Sequence, residues 1–207
     1  MVFSSTAFLL LFLPLVALVY FLCPRKARNT VLLIASLLFY GWGEPKYILI
    51  MLFSTVFDYC NGRGIGYFRD QGREKAAKAV MWVSVAGNLA ILAFFKYTDF
   101  AIDNINSLLN AGIPALGLAL PIGISFYTFQ NMSYIIDAYR GETRVQKNLA
   151  SYATYLCLFP QLIAGPIVRY ADVDRELRSR TLSLDQVSGG VLRFAIGLGK
   201  KVLIANT

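Results

Sequence analysis

Apolar stretches and short basic clusters alternate along this chain. No charge occurs from Val2 to Cys23, and Arg25, Lys26 and Arg28 follow at once. An uncharged run of that length can cross a hydrocarbon layer about 30 Å thick. A cleaved signal peptide carries its basic residues before the apolar run and small residues at its end. Here the order is reversed and Tyr20-Phe21-Leu22 precede Cys23, so the run reads as a retained first helix with its N-terminus outside. Two shorter apolar arms, Ala27 to Trp42 and Tyr47 to Cys60, flank Gly43-Glu44-Pro45-Lys46. Glycine and proline end the first arm, and Tyr40, Trp42 and Tyr47 border the turn like an interfacial aromatic belt. The pair predicts a hairpin of two thin helices, or a re-entrant one.

A polar stretch with Arg63, Arg69, Arg73, Lys75 and Lys78 leads to Ala79–Phe95, a charge-free helix candidate. From Lys96 to Ile113, Phe100, Ile105, Leu108 and Leu109 recur near helical spacing beside Asp99 and Asp103, which predicts an interfacial helix or a loop. Leu116 to Tyr139 is the next span, bent near Pro121. Leu149 to Val168 is again uncharged, but Pro160 and Pro166 prevent one straight helix, leaving open whether it crosses or turns back. A charged segment from Arg169 to Arg180 precedes the last apolar stretch, Val187 to Ala205. The sequence ends just after it, which reads as a cut in a longer protein. No internal repeat is visible.

Composition sharpens this reading. Hydrophobic residues make up 57% of 207 positions and charged residues 15%, against roughly 25% charged in a soluble domain. Lipid is the second solvent such a chain needs. The net charge of +8 belongs to the loops. Eleven Lys or Arg lie in the three loops assigned inside, and only Lys46 and Lys96 in the outside turns, a bias that places the first group in the cytoplasm. No recognition helix, zinc pattern or aromatic-basic platform supports nucleic-acid binding. Cys23, Cys60 and Cys157 have no C-x-x-C spacing and read as free thiols. Histidine is absent.

Three features carry candidate chemistry. Tyr127, Gln130, Ser133, Tyr134, Asp137 and Arg140 fall on one broad helical face. Such a face looks toward protein or a water-filled cavity, and either lines a path or bonds helices together. The spacing of Asp137 and Arg140 allows an ion pair near the cytoplasmic end. The break at Phe159-Pro160-Gln161-Leu162-Ile163-Ala164-Gly165-Pro166 is the second feature, since non-helical backbone at membrane depth needs protein or a cavity around it. Arg193 and Lys200, seven apart with Lys201 adjacent, form the third, beside Gly190 and Gly197 at the spacing of close helix packing. Snorkelling to the interface or a headgroup phosphate would satisfy these cations. No Ser–His pair, metal-ligand cluster or glycine-rich phosphate loop is present.

Several strings occur together in order: Met1-Val2-Phe3-Ser4-Ser5, Phe39-Tyr40-Gly41-Trp42-Gly43-Glu44-Pro45, Phe95-Lys96-Tyr97-Thr98-Asp99-Phe100, Leu120 to Gln130, Tyr139-Arg140-Gly141, Phe159 to Arg169, and Gly199 to Ala205. With them the chain resembles the membrane-bound O-acyltransferase family, in its alginate O-acetyltransferase branch. The resemblance implies an all-α, polytopic membrane fold in which residues 1–207 form the N-terminal part of a helical ring with a thinned central funnel. It implies a multi-pass protein of the bacterial cytoplasmic (inner) membrane, in contact with lipid. An acyl group, acetyl in that branch, would pass from a cytoplasmic donor, acetyl-CoA or an acyl-carrier thioester, toward an exported polysaccharide, aided by periplasmic or extracellular acetylation partner proteins. No bound cofactor, metal or nucleic acid is implied.

The family's catalytic histidine lies beyond this stretch. An acceptor hydroxyl needs a general base near neutral pKa, so residues 1–207 alone are expected to be inactive and to hold no catalytic residue. Ser125, Tyr127, Gln130 and Gln161 are the expected lining of the tunnel. A transporter, which also uses broken helices, and a non-catalytic scaffold of a polysaccharide export complex are the competing readings. A histidine within an apolar segment of the downstream sequence would favour the enzyme.

Overall fold

The computed structural model describes residues 5–162, 168–178, 180 and 183–205, and these are all-helical apart from connecting loops. A π-helical turn, Phe8–Phe12, leads into α1 (Leu13–Leu22). Next come α2 (Arg28–Gly43), α3 (Ile48–Asp70) and α4 (Glu74–Leu109). After a long loop follow α5 (Ile124–Arg140), α6 (Leu149–Cys157) and the short α7 (Phe159–Leu162). α8 (Tyr170–Arg178) and α9 (Leu184–Lys200) end the chain, α9 passing into a last π turn.

The core is mainly apolar but admits many polar side chains, and large apolar side chains also cover the outside. Ser36, Ser54, Thr55, Asp58, Ser84, Asn88, Thr128, Asn131 and Thr154 are buried, whereas Leu18, Leu38, Trp42, Leu49, Phe53 and Trp82 are all more than half exposed. Water would penalise that outer surface heavily. Among the described residues, α4 is the one helix long and apolar enough by length and composition to cross a membrane, and Phe8–Leu22 is apolar but shorter.

Three elements differ from the expectation. The second hairpin arm continues past Cys60 to Asp70, so α3 is 23 residues rather than a short arm. Ala79–Phe95 belongs to one 36-residue helix, α4, which starts earlier at Glu74 and takes in the mixed segment as far as Leu109. The span expected from Leu116 does not start there. Residues 110–121 are an extended loop, with Gly112 and Gly117 at positive φ and Asp99 accepting from the Leu116 and Leu118 amides at 2.9 and 3.3 Å. Pro114 and Pro121 bar helix formation there. α5 begins only after Gly123, whose φ of +79° requires glycine.

α6 starts at Asn148, whose side chain accepts from the Ser151 amide at 3.0 Å and so caps the helix. It ends at Cys157 with Leu158 as its C-cap, and Pro160 then sits in the first turn of α7, where its missing N–H leaves no bond unmade. The remainder of the expected break, residues 163–167, lies outside the described residues.

Beyond the break the chain comes back. Gln146, just before α6, donates from Nε2 to the Tyr170 hydroxyl at 2.6 Å, and the Tyr155 hydroxyl donates to the Val168 carbonyl at 2.9 Å. Leu162 packs against the start of α5, its carbonyl so close to Gly123 that a Cβ there would meet it at 2.6 Å. Residues 149–162 therefore reach the start of α5, while Val168 and Tyr170 lie back against Tyr155 and Gln146. α2, α3 and α5 surround this segment.

Candidate functional site

The interior around this returning segment is where polar side chains gather. Gln130 of α5 and Gln161 of α7 both donate from Nε2 to the Tyr155 carbonyl, one of the carbonyls that the ending of α6 leaves without an intrahelical partner. Two of the four expected lining residues thus meet at the break. Tyr127, one turn before Gln130, is fully buried and its hydroxyl has no partner. Ser125 is half-buried in the first turn of α5 and joins none of these contacts.

Among the described residues, four further buried side-chain atoms share the condition of Tyr127, Arg28 Nε at the start of α2 being one. The Tyr40 hydroxyl from α2, Ser54 Oγ from α3 and Asn131 Nδ2 from α5 are also unpaired. They come from the three helices that enclose α6. Cys157, at the end of α6, lies with its Sγ 3.9 Å from Thr55 Oγ1. An unpaired buried hydroxyl costs about 1–3 kcal/mol, and such groups are kept where water or a ligand completes them.

Toward the end where the segment enters, tyrosines take over. Tyr134 contacts Tyr152 and Tyr170 at ring-centroid distances of 4.8 and 5.0 Å, and Tyr155 contacts Tyr170 at 5.1 Å. The Tyr152 hydroxyl donates to Asn131 Oδ1 at 2.7 Å, and Tyr134 accepts from the Gln146 amide at 3.0 Å. Burial, then the Asp174 carboxylate at 2.8 Å, holds the Tyr170 phenol above its ordinary pKa, so it remains a donor. Gly62 permits this packing, since a Cβ there would press on the Tyr134 ring at 2.9 Å.

A second polar cluster lies between α3 and α4. Asp58 is fully buried at the middle of α3. Ser84 Oγ donates to its Oδ1, and Asn88 Nδ2 forks to Oδ1 and Oδ2 at 2.8 and 2.9 Å. No described cation pairs with it. Residue order alone does not single out Asp58, although one acid inside the apolar run 47–60 is a signal of it.

The other expectations fare differently. The Asp137–Arg140 ion pair does not form. Arg140 reaches Glu142 at 3.8 Å, because Asp137 points into the bundle at 4% exposure while Arg140 lies at the solvated end. Arg193, Lys200 and Lys201 do share α9 and its last turn, but a Cβ on Gly190 or Gly197 would meet open space, so no described helix packs there. The three cysteines are free thiols. No group of three His, Cys, Asp or Glu among the described residues could hold a metal.

The basic loops do gather at one end. Arg25 and Arg28 line one cavity with Arg178, and Arg178 also lines a second with Arg69, Arg144 and Lys147.

An all-helical chain with a polar interior and a returning segment defines a class of folds rather than a reaction, and sequence kinship narrows it. Along its whole length the chain is similar to proteins named as O-acetylases or O-acetyltransferases. It is 42% identical over 215 residues to the protein named "Probable alginate O-acetylase AlgI" of Pseudomonas syringae pv. tomato, covering 100% of this chain and 40% of that protein. The protein of the same name from Pseudomonas aeruginosa is 42% identical over 211 residues, with the same coverage. A peptidoglycan O-acetyltransferase of Helicobacter pylori is 31% identical over 239 residues, covering 100% of this chain and 45% of that one. The chain therefore spans about 40% of the length of the alginate O-acetylases it matches. No protein-family model and no solved structure matches it.

Proposed function

We propose that residues 1–207 form one membrane domain of an O-acyltransferase that passes an acetyl group from a cytoplasmic thioester donor to an exported polysaccharide such as alginate. Kinship to alginate and peptidoglycan O-acetyltransferases is the single observation that carries acetyl transfer. The many exposed large apolar side chains, with polar groups admitted to the core, support seating in the inner membrane as a multi-pass bundle. The gathering of basic loops at one end supports placing that end in the cytoplasm and the N-terminus outside.

In this reading the returning segment is a thinned part of the barrier. α6 is 9 residues, about 14 Å, and cannot cross alone. Tyr127, with Tyr40, Ser54 and Asn131, offers polar atoms to water or substrate along it, while Gln130 and Gln161 keep the broken backbone satisfied. Ser125 borders the outer mouth. These residues bind and orient, and none is a general base. With no histidine in the chain, the base that deprotonates the acceptor comes from outside residues 1–207.

The test is complementation of a strain lacking the chromosomal gene, with acetyl ester on the secreted polymer read by NMR. The intact protein restores acetylation and residues 1–207 do not; restoration by residues 1–207 would overturn the assignment of roles. Cysteines placed at Lys147 and Arg169 should react with an impermeant maleimide from the same membrane face. Labelling from opposite faces would mean that the segment crosses.

A further inference from the structure

A basic cavity of about 710 Å³ lies at the end where the returning segment enters. Arg69, Arg144, Lys147 and Arg178 line it together with only two acids, Asp70 and Glu74. Two of the cations are committed. Arg69 donates to the Ala138 carbonyl at the end of α5 at 2.8 Å, and Arg178 pairs with Asp174 at 2.8 Å. Arg144 and Lys147 make no ion pair with any described residue.

The backbone that carries them is nevertheless held firmly. The Tyr59 hydroxyl donates to the Lys147 carbonyl at 2.7 Å, the Gln146 amide donates to Tyr134, and Gln146 also reaches Tyr170. Val145 packs on Gly66, where a Cβ would meet it at 3.0 Å. Fixing a loop from three sides so that it presents two unneutralised cations over a cavity is what a preorganised anion site requires. A simple solubilising surface needs no such anchoring.

We propose that this cavity binds a phosphate group, with Arg144 and Lys147 as the contacting cations and Arg69 and Arg178 supplying field. Arg gives forked bonds to phosphate oxygens and Lys a point charge. The phosphate belongs either to a soluble phosphorylated ligand or to an anionic phospholipid headgroup at the membrane surface. Only the naming of the cytoplasmic side rests on the orientation proposed above; the site itself does not depend on acyl transfer.

The experiment uses the purified intact protein in nanodiscs. In one arm, discs of phosphatidylcholine are titrated with inorganic diphosphate by calorimetry. In the other, discs containing phosphatidylglycerol are analysed by native mass spectrometry for retained anionic lipid. Binding is expected in at least one arm, weakened about tenfold by Arg144→Gln with Lys147→Gln and retained by Arg144→Lys with Lys147→Arg, which keep the charge should the neutral pair fail to fold. Lys75→Gln with Lys78→Gln, on the same end but outside the cavity, should leave binding unchanged. No binding in either arm, binding indifferent to the neutral pair, or equal loss in the Lys75/Lys78 control overturns the site.

Discussion

Replacing Asn88 by alanine isolates what holds a fully buried carboxyl in the middle of a helix. The Asn88 amide supplies both of its oxygens, leaving Ser84 alone after truncation. A buried polar group stranded in this way costs about 1–3 kcal/mol, more when charged. Hydrogen bonds between membrane-embedded helices average ~0.6 kcal/mol and reach ~1.7, because the unfolded chain in lipid finds other partners. Because the amide forks to both oxygens and no cation stands by to compensate, Asn88→Ala should destabilise by about 1–3 kcal/mol. Replacing Asp58 and Asn88 together by leucine removes the stranded group and should cost less than the two single leucine changes summed, by about 1 kcal/mol or more. The assay is reversible unfolding of the intact protein in mixed micelles by titration with dodecyl sulfate, followed by tryptophan fluorescence. If Asn88→Ala falls within about 0.5 kcal/mol of the parent, or the two leucine changes simply add, the cluster is not the α3–α4 clasp described here.

Three further outcomes are expected. Gly123→Ala combines a left-handed backbone, worth about 1–2 kcal/mol, with a collision on the Leu162 carbonyl, so it should lower the melting midpoint well beyond Gly117→Ala, where φ is also positive but the space is open; equal effects would contradict the contact. Gln130→Leu and Gln161→Leu each leave the Tyr155 carbonyl one donor, so the single changes should cost under about 1 kcal/mol and the pair clearly more than their sum, measured by the same unfolding titration. Arg140→Gln removes an exposed 3.8 Å pair with Glu142 and should shift stability by no more than about 0.5 kcal/mol; a larger loss would restore Asp137 as its partner.

Much of this architecture is readable from residue order, and the failures have a common cause. Pro160 in an uncharged run announces the break, and the polar face of α5 announces the interior, because both signals are local. Residues 110–121 mislead because leucine and alanine there mimic a span, while the Asp99 carboxylate that fastens the loop lies 17 residues before Leu116. Asp58 escapes notice because its meaning depends on Ser84 and Asn88, 26 and 30 residues away. The residue types of Gln130 and Gln161 mark them as interior groups, but that they converge on one carbonyl depends on the segment turning back, which periodicity does not encode.

In the membrane seating proposed above, the length of α4 has a consequence beyond the apolar layer. At 36 residues it measures about 54 Å, roughly 24 Å more than a hydrocarbon layer of about 30 Å. Its far portion stands clear as a mast, stiffened by a guy-line: Asn106 both donates to and accepts from Ile113, and Asp99 ties down the descending loop. Phe100, Leu108 and Leu109 sit near its top at 67%, 83% and 73% exposure. In that seating these three side chains would project beyond the apolar layer on the side opposite the basic loops.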